Sequence, residues 1–190
     1  GLFSSGSDIK EFAEMTIEQA NAAFDDMEDA ISTFEKLPLP TIALVNGPSI
    51  GAGFELALAC DLRVGTPDTL MGIPVGGLGI TLSKQFVKRI VNIVGPSRAK
   101  DFVYTGRLLN DRESYEWGLL NDLLDEDENP SQFVLKLAEK IKQQSPASLR
   151  AVKEGVAYAL PSYDIPLYSE FESRVDPVDF PEGVLAFKEK

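Results

Sequence analysis

LPTIALVNGPSIGAGFELALACD, Leu39 to Asp61, is the stretch on which the reading of this chain turns. Thr41 to Val45 is a short apolar run rich in β-branched residues, bounded by Pro40 and Asn46-Gly47, and predicts a buried strand. Gly51-Ala52-Gly53 then breaks the chain, and Phe54 to Cys60 predicts a small-residue helix ended by Asp61. A strand feeding a glycine-rich turn and a helix leaves the first amides of that helix without intrahelical partners. Such amides, at the positive end of the helix dipole, can hold a negatively charged oxygen. Glu55 stands in the first turn, a carboxylate within an otherwise apolar helix.

Composition narrows the surroundings of that stretch. The 190 residues suffice for one domain with a real core, or a domain with an appendage. With 44% hydrophobic and 25% charged residues, an ordinary globular protein is expected. A formal charge of −12 argues against a nucleic-acid partner, which needs a basic face, and weakly against anionic membranes. Part of the acidity lies in two clusters, Asp25-Asp26 with Glu28-Asp29 and Asp125 to Glu128, which are expected to be solvated surface and loop. Cys60 is the only cysteine, so no internal disulfide can form and a reducing, cytoplasmic home is expected. Its apolar helix predicts a buried structural thiol rather than a nucleophile. The absence of histidine removes Ser-His-Asp and Cys-His chemistry, and most zinc and haem sites, so no metal is expected. No apolar run reaches the ~18 residues of a membrane span. The start, Gly1 to Gly6, lacks the charged and apolar regions of a signal peptide.

Outward from the central stretch, short strands alternate with helices, which predicts an α/β fold. Leu2-Phe3 reads as the end of a strand, and Ser4 to Ser7 as the turn after it. Asp8 and Glu11 suggest a capping box before a helix near Ile9. Apolar residues from Ala20 to Phe34, three and four apart, predict a helix from Ile17 to about Lys36, which Pro38 and Pro40 stop. Leu62 to Gly65 and Thr69 to Gly72 predict strands, and Ile73 to Ile80 a glycine-rich apolar loop. Helices are expected over Ser83 to Val94, ended by Gly95-Pro96, and over Arg98 to Thr105. A short helix capped by Asp111, a strand-like Leu119 to Leu124, and helices over Gln132 to Gln143, Pro146 to Ala159 and Glu182 to Lys190 complete the chain.

Two glycine turns, Ser5-Gly6-Ser7 and Gly51-Ala52-Gly53, each follow a strand and precede a helix. Together they could offer two backbone N–H groups to one oxygen, an oxyanion hole. Either alone could equally be a packing turn, and neither fits a phosphate-binding or dinucleotide fingerprint. Without histidine, a carboxylate in a dry pocket is the natural proton carrier, and Glu55 is the candidate. A glutamate at a helix start that satisfies amides or faces water is the other reading.

These pieces carry a resemblance in four ordered blocks. FSSGSDIKEF, KLPLPTIALVNGPSIGAGFELALACDLRVG, GPSRAKDFVYTGRLLNDRESYEWGLLNDLL and DFPEGVLAFKEK resemble successive motifs of the crotonase superfamily, the enoyl-CoA hydratases and isomerases. The likeness covers essentially the whole chain. It implies a spiral of repeated ββα units with a C-terminal helical region, the core over residues 1–125 and the helical region over 126–190. It also implies that the first strands of the core precede this sequence.

The resemblance further implies an acyl-CoA thioester as substrate, with coenzyme A as part of it and no separate cofactor. The amides of Ser7 and Ala52 would stabilise its enolate or oxyanion, and Glu55 would be the acid/base. Gly6, Asp8, Ile9, Lys10, Gly51, Pro74 and Val75 would line the substrate, Ser7 to Lys10 at the adenine and phosphate end. Hydratases of the family use a second glutamate, and its position here is Val75, after Pro74. Valine cannot transfer a proton, and Asp68, Tyr104 and Asp122 offer no physical reason to choose among them as a substitute. Hydration of, or proton movement on, a 2-enoyl-CoA is therefore expected with Glu55 alone. Decarboxylation or thioester hydrolysis on the same platform, or a catalytically weak acyl-CoA-binding subunit, are the alternatives. Homotrimers or hexamers are the family's habit, and Val184, Leu185 and Phe187 would suit docking between subunits or packing on the chain's own core.

Overall fold

The predicted strand forms as β1 (Ile42–Val45), and a second strand, β2 (Pro48–Ile50), follows it at once. Helix α3 (Ala52–Ala59) completes a β-β-α unit. The next unit supplies β3 (Leu62–Gly65), β4 (Leu70–Gly72), a 3₁₀ turn (Gly76–Leu78) and α4 (Lys84–Thr105). The first strand of each unit joins one parallel sheet, in which β1 pairs with β3 and β3 with β6 (Asp122–Leu123). The second strand joins another sheet, where β2 runs parallel to β4 and β4 antiparallel to β5 (Leu108–Asn110). The chain therefore climbs as a spiral of repeated ββα units. Ahead of these units lie α1 (Ile9–Phe12) and α2 (Ile17–Glu35), and Ser4 bridges to Ser49 at the edge of β2. The remaining helices are α5 (Asp111–Glu116), α6 (Pro130–Lys142), α7 (Pro146–Ala159) and α8 (Asp179–Lys188). This computed structural model describes residues 1–160 and 173–189.

Two apolar cores hold these elements. The larger gathers Val45, Phe54, Met71, Ile90, Phe102 and Leu109 from both sheets, α3 and α4. The smaller joins Phe12, Phe24, Val175, Phe180 and Val184, and so ties the N-terminal helices to α8. Val184 packs on this chain's own core, while Leu185 and Phe187 of the same helix stay exposed. Cys60 is buried where α3 ends.

Several boundaries differ from the sequence-based expectation, each for a local reason. Helix α3 begins at Ala52 rather than Phe54, because Gly51 makes the whole turn (φ 60°) and its carbonyl already accepts from the Glu55 amide. Strands β2 and β5 carry three residues each, too few for a period-two pattern to show. The expected strand Leu119 to Leu124 shrinks to two residues because the Leu119 and Leu120 amides bond to the Ser114 carbonyl instead. Asp8 caps α1 through the Lys10 amide, at 3.0 Å, and full capping boxes belong to Thr16 with Gln19 on α2 and to Asn110 with Glu113 on α5, where Asn110 rather than Asp111 is the cap. The two helices expected on either side of Gly95-Pro96 do form, and α4 names the pair, with Gly95 at φ 77° and ψ 168° outside helical geometry where they part. Helix α8 starts at Asp179, earlier than Glu182, and Lys190 lies outside the described residues.

Candidate active site

The two glycine turns meet in space. Gly6 has φ 81°, and a Cβ there would lie 2.8 Å from the Ile50 carbonyl oxygen and 2.9 Å from the Ala52 amide nitrogen. Only glycine allows this approach, because it tolerates the left-handed conformation and has no side chain to collide. Gly53 meets the same loop: a Cβ there would lie 2.5 Å from both the Ser4 Cβ and the Ser4 carbonyl oxygen. The Ile50 amide donates to the Ser4 carbonyl at 2.9 Å and locks the pair of turns together. Among the described residues, neither the Ser7 nor the Ala52 amide donates a hydrogen bond to the protein.

Below the turns opens a cavity of about 770 Å³. Gly6, Ser7, Asp8, Ile9, Lys10, Gly51, Ala52, Glu55, Pro74 and Val75 all line it. The ten residues singled out from sequence, drawn from three separate segments, are thus brought to one wall. Asp68, Tyr104 and Asp122 are not among its lining residues, and Tyr104 is 80% exposed.

Glu55 is 1% exposed and does not face bulk water. Its Oε1 accepts from Arg89 Nη1 at 2.7 Å. The same nitrogen donates to Glu28 Oε1 at 2.8 Å, so two carboxylates converge on one nitrogen. Arg89 Nη2 donates to Ser32 Oγ and to Glu35 Oε2, both at 2.9 Å. Ser32 Oγ donates to Glu28 Oε1 at 2.9 Å, and Ser83 Oγ donates to Glu28 Oε2. Glu28 and Glu55 line the cavity, whereas Arg89 sits behind its wall.

These neighbours push the two carboxyls apart. Burial, then the hydrogen bond and negative charge of Glu28, raise the Glu55 pKa to about 8 against the opposing pull of Arg89. Burial acts to raise Glu28 as well, but hydrogen bonds from Ser83, Glu55, Arg89 and Ser32 outweigh it and hold Glu28 below the ordinary carboxylate value. The surroundings thus favour the neutral form of Glu55 and the ionised form of Glu28. A neutral acid beside an ionised base can both give and take protons.

Glu28 corrects the sequence-based expectation. It was expected with its acidic cluster at a solvated surface, yet it is buried and faces the cavity. The signal lay in register: Glu28 falls four residues after Phe24 and three before Ile31, on the buried face of α2. Its partner Arg89 likewise follows Phe86 by three on the buried face of α4.

The enoyl-CoA hydratase/isomerase family model matches residues 1–190. This chain belongs to that family. Among curated relatives it is 35% identical over 160 residues to enoyl-CoA isomerase/hydratase fer4 of Mycosarcoma maydis, covering 82% of this chain and 57% of the relative. It is 30% identical over 197 residues to human mitochondrial methylglutaconyl-CoA hydratase, covering 100% of this chain and 58% of the relative. The chain thus spans less than two thirds of these relatives. Among solved structures, an enoyl-CoA hydratase/carnithine racemase from Magnetospirillum magneticum superposes with a TM-score of 0.77 at 29% identity, covering 98% of this chain and 71% of that one. As an enoyl-CoA hydratase/isomerase family member, the chain has the family's repeated ββα core. Among its described residues no helix is long and apolar enough to cross a membrane, and no three His, Cys, Asp or Glu side chains cluster to hold a metal.

Proposed function

We propose that this chain carries the catalytic site of an enzyme acting on an acyl-CoA thioester by hydration of, or proton movement on, a 2-enoyl group. The observation that carries this reading is the contact of the Gly6 and Gly51 turns, which sets two amides without protein acceptors in one cavity with the buried Glu55 carboxyl. The Ser7 and Ala52 amides would hold the thioester oxygen as it gains charge, each worth about 3 kcal/mol in the transition state. Glu55 would then move a proton at the carbon next to the thioester carbonyl. Ser7 to Lys10 would meet the adenine and phosphates of coenzyme A, with the Lys10 ammonium toward their negative charge. The acyl chain would lie against Phe24, Met27, Val75, Leu82 and Phe86. No cofactor besides the coenzyme A of the substrate enters this scheme.

Val75 at the expected place of a second glutamate favours one other reading. Decarboxylation or thioester hydrolysis on the same platform can proceed with one carboxylate, and a weakly catalytic acyl-CoA-binding subunit needs none. Assembly as a homotrimer or hexamer is proposed as well. Helices α6 and α7 bury no residue, and Leu135, Val152 and Val156 stay more than half exposed, which supplies apolar faces for a second copy. A reducing compartment, cytoplasmic or organellar, suits the single buried thiol.

Incubation with crotonyl-CoA, and separately with a saturated acyl-CoA in deuterated water, tests the reaction. Hydration or deuterium exchange that falls at least ~100-fold in Glu55→Gln is expected. Release of carbon dioxide or free coenzyme A without hydration would select the alternative chemistry. Binding without any turnover would leave the binding subunit.

A further inference from the structure

We infer that Glu28 is the second acid/base carboxylate of this site, delivered from α2 in place of the glutamate that Val75 displaces. The inference rests on the acyl-CoA reading above. Its basis is geometric. Glu28 and Glu55 reach the same cavity from different helices, and both accept from Arg89 Nη1, at 2.8 and 2.7 Å. Val75 lines the same cavity and brings no proton-transfer group.

The groups facing Glu28 suit it to the role of base. Arg89 and Ser83 approach from α4 and its cap, Glu55 from α3, and Ser32 from the next turn of α2. Glu35, one turn further on, faces Arg89 rather than Glu28. Glu28 Oε1 accepts from Arg89 Nη1 and Ser32 Oγ, Oε2 accepts from Ser83 Oγ, and the Glu55 carboxyl lies within hydrogen-bonding reach of the same carboxylate. Ser83, the partner of Oε2, itself lines the cavity, so this side of the Glu28 carboxylate is the one offered to a bound water.

The hydration step then balances. Water oxygen bonds to the β-carbon of the enoyl group, and its proton passes to Glu28. The carbon–carbon double bond opens into the enolate, which takes the Glu55 proton at the α-carbon. Glu55 is left ionised and Glu28 neutral. Transfer of one proton from Glu28 to Glu55, side by side on Arg89, restores the starting state. No other reactant is consumed.

Glu28→Gln and Glu28→Asp, assayed with crotonyl-CoA, test the inference. In Glu28→Gln the kcat is expected to fall ~100-fold or more with KM within about threefold, because a general base is lost and binding is not. The acidic limb of the kcat/KM profile, which reports ionisation of Glu28, is expected to vanish. Glu28→Asp keeps the carboxylate but withdraws it by one methylene, and its kcat is expected to lie between the other two, with the acidic limb retained. If Glu28→Gln does not fold, Glu28→Asp decides, since unchanged kcat in a folded Asp variant overturns the role. A Glu28→Gln enzyme with kcat within threefold of wild type, or with its acidic limb intact, overturns it too. Should Glu55→Gln abolish turnover while Glu28→Gln does not, the acyl-CoA reading stands and this inference alone falls. Deuterium exchange without hydration in the wild-type protein overturns this inference alone, and absence of both overturns the acyl-CoA reading with it.

Discussion

Burial and the neighbouring Glu28 push Glu55 toward its protonated form, and folding must answer for the difference. Its pKa moves from 4.5 to about 8 in the folded chain. Between those values the folded state binds one more proton than the unfolded state, so stability falls as pH rises from about 4.5 to about 8 and levels off above. Glu28 works in the opposite sense, since its pKa is lowered and its contribution is lost as pH falls below the ordinary carboxylate value. The two residues thus act in separate windows. In Glu55→Gln the downward slope of stability between pH 5 and pH 8 is expected to disappear, as read from urea unfolding at a series of pH values. A variant that keeps the wild-type slope would show that Glu55 does not carry this proton. At the same scale, Glu55 was legible in the sequence because it interrupts an apolar helix after a glycine turn. Glu28 was not, because its charged neighbours Asp25, Asp26 and Asp29 made it look like one more solvated acid.

At the scale of elements, the site depends on how closely the Ser5-Gly6-Ser7 turn approaches the start of α3. Gly6→Ala would place a methyl group within 3 Å of both the Ile50 carbonyl oxygen and the Ala52 nitrogen, on backbone already at φ 81°. Neither neighbour is a flexible side chain, so the turns must separate. The expected result is a fall in kcat of ~100-fold or more with a modest loss of stability, of about 1–3 kcal/mol, measured by acyl-CoA turnover and thermal melting. Retained kcat would show that the two turns act separately. Elements with strong local signals, such as α2 with its apolar residues three and four apart and α4 with its break at Gly95, were readable from the chain. Strands β2 and β5 were not, because three residues derive their structure from the partner strand rather than from their own pattern.

Across the whole molecule, the cavity is closed by parts of the chain that lie far apart in sequence. Phe12 stacks on Phe24 at 4.7 Å between ring centroids and meets Phe180 edge-on at 6.2 Å. The Thr81 amide donates to the Arg174 carbonyl at 2.8 Å, and the Asp176 amide to the Gly79 carbonyl at 2.9 Å. Helix α8 then lies against the glycine-rich loop so closely that a Cβ on Gly183 would sit 2.7 Å from the Leu78 Cα. Phe24, Arg174 and Phe187 also line the cavity, so this second core is part of its wall. Phe180→Ala is expected to cost about 3–5 kcal/mol of stability and to raise KM more than it lowers kcat. Chemical denaturation and steady-state kinetics measure the two effects. A stable variant with unchanged KM would show that α8 does not shape the binding wall.

The sequence by itself determined the alternation of strands and helices, the two glycine turns, the carboxylate Glu55 within an apolar helix and the missing carboxylate at Val75. These are local properties, written in spacing, capping and turn chemistry within a few residues. Only the tertiary structure decided which turns touch and which charges share a proton. Glu28 and Arg89 stand 61 positions apart, and Arg89 and Glu55 stand 34 apart. Helical register can say that each faces inward, but it cannot say that all three face one another. Desolvation and Coulomb interaction depend on that distance in space, so the upward push on the Glu55 pKa arises only once α2, α3 and α4 pack together.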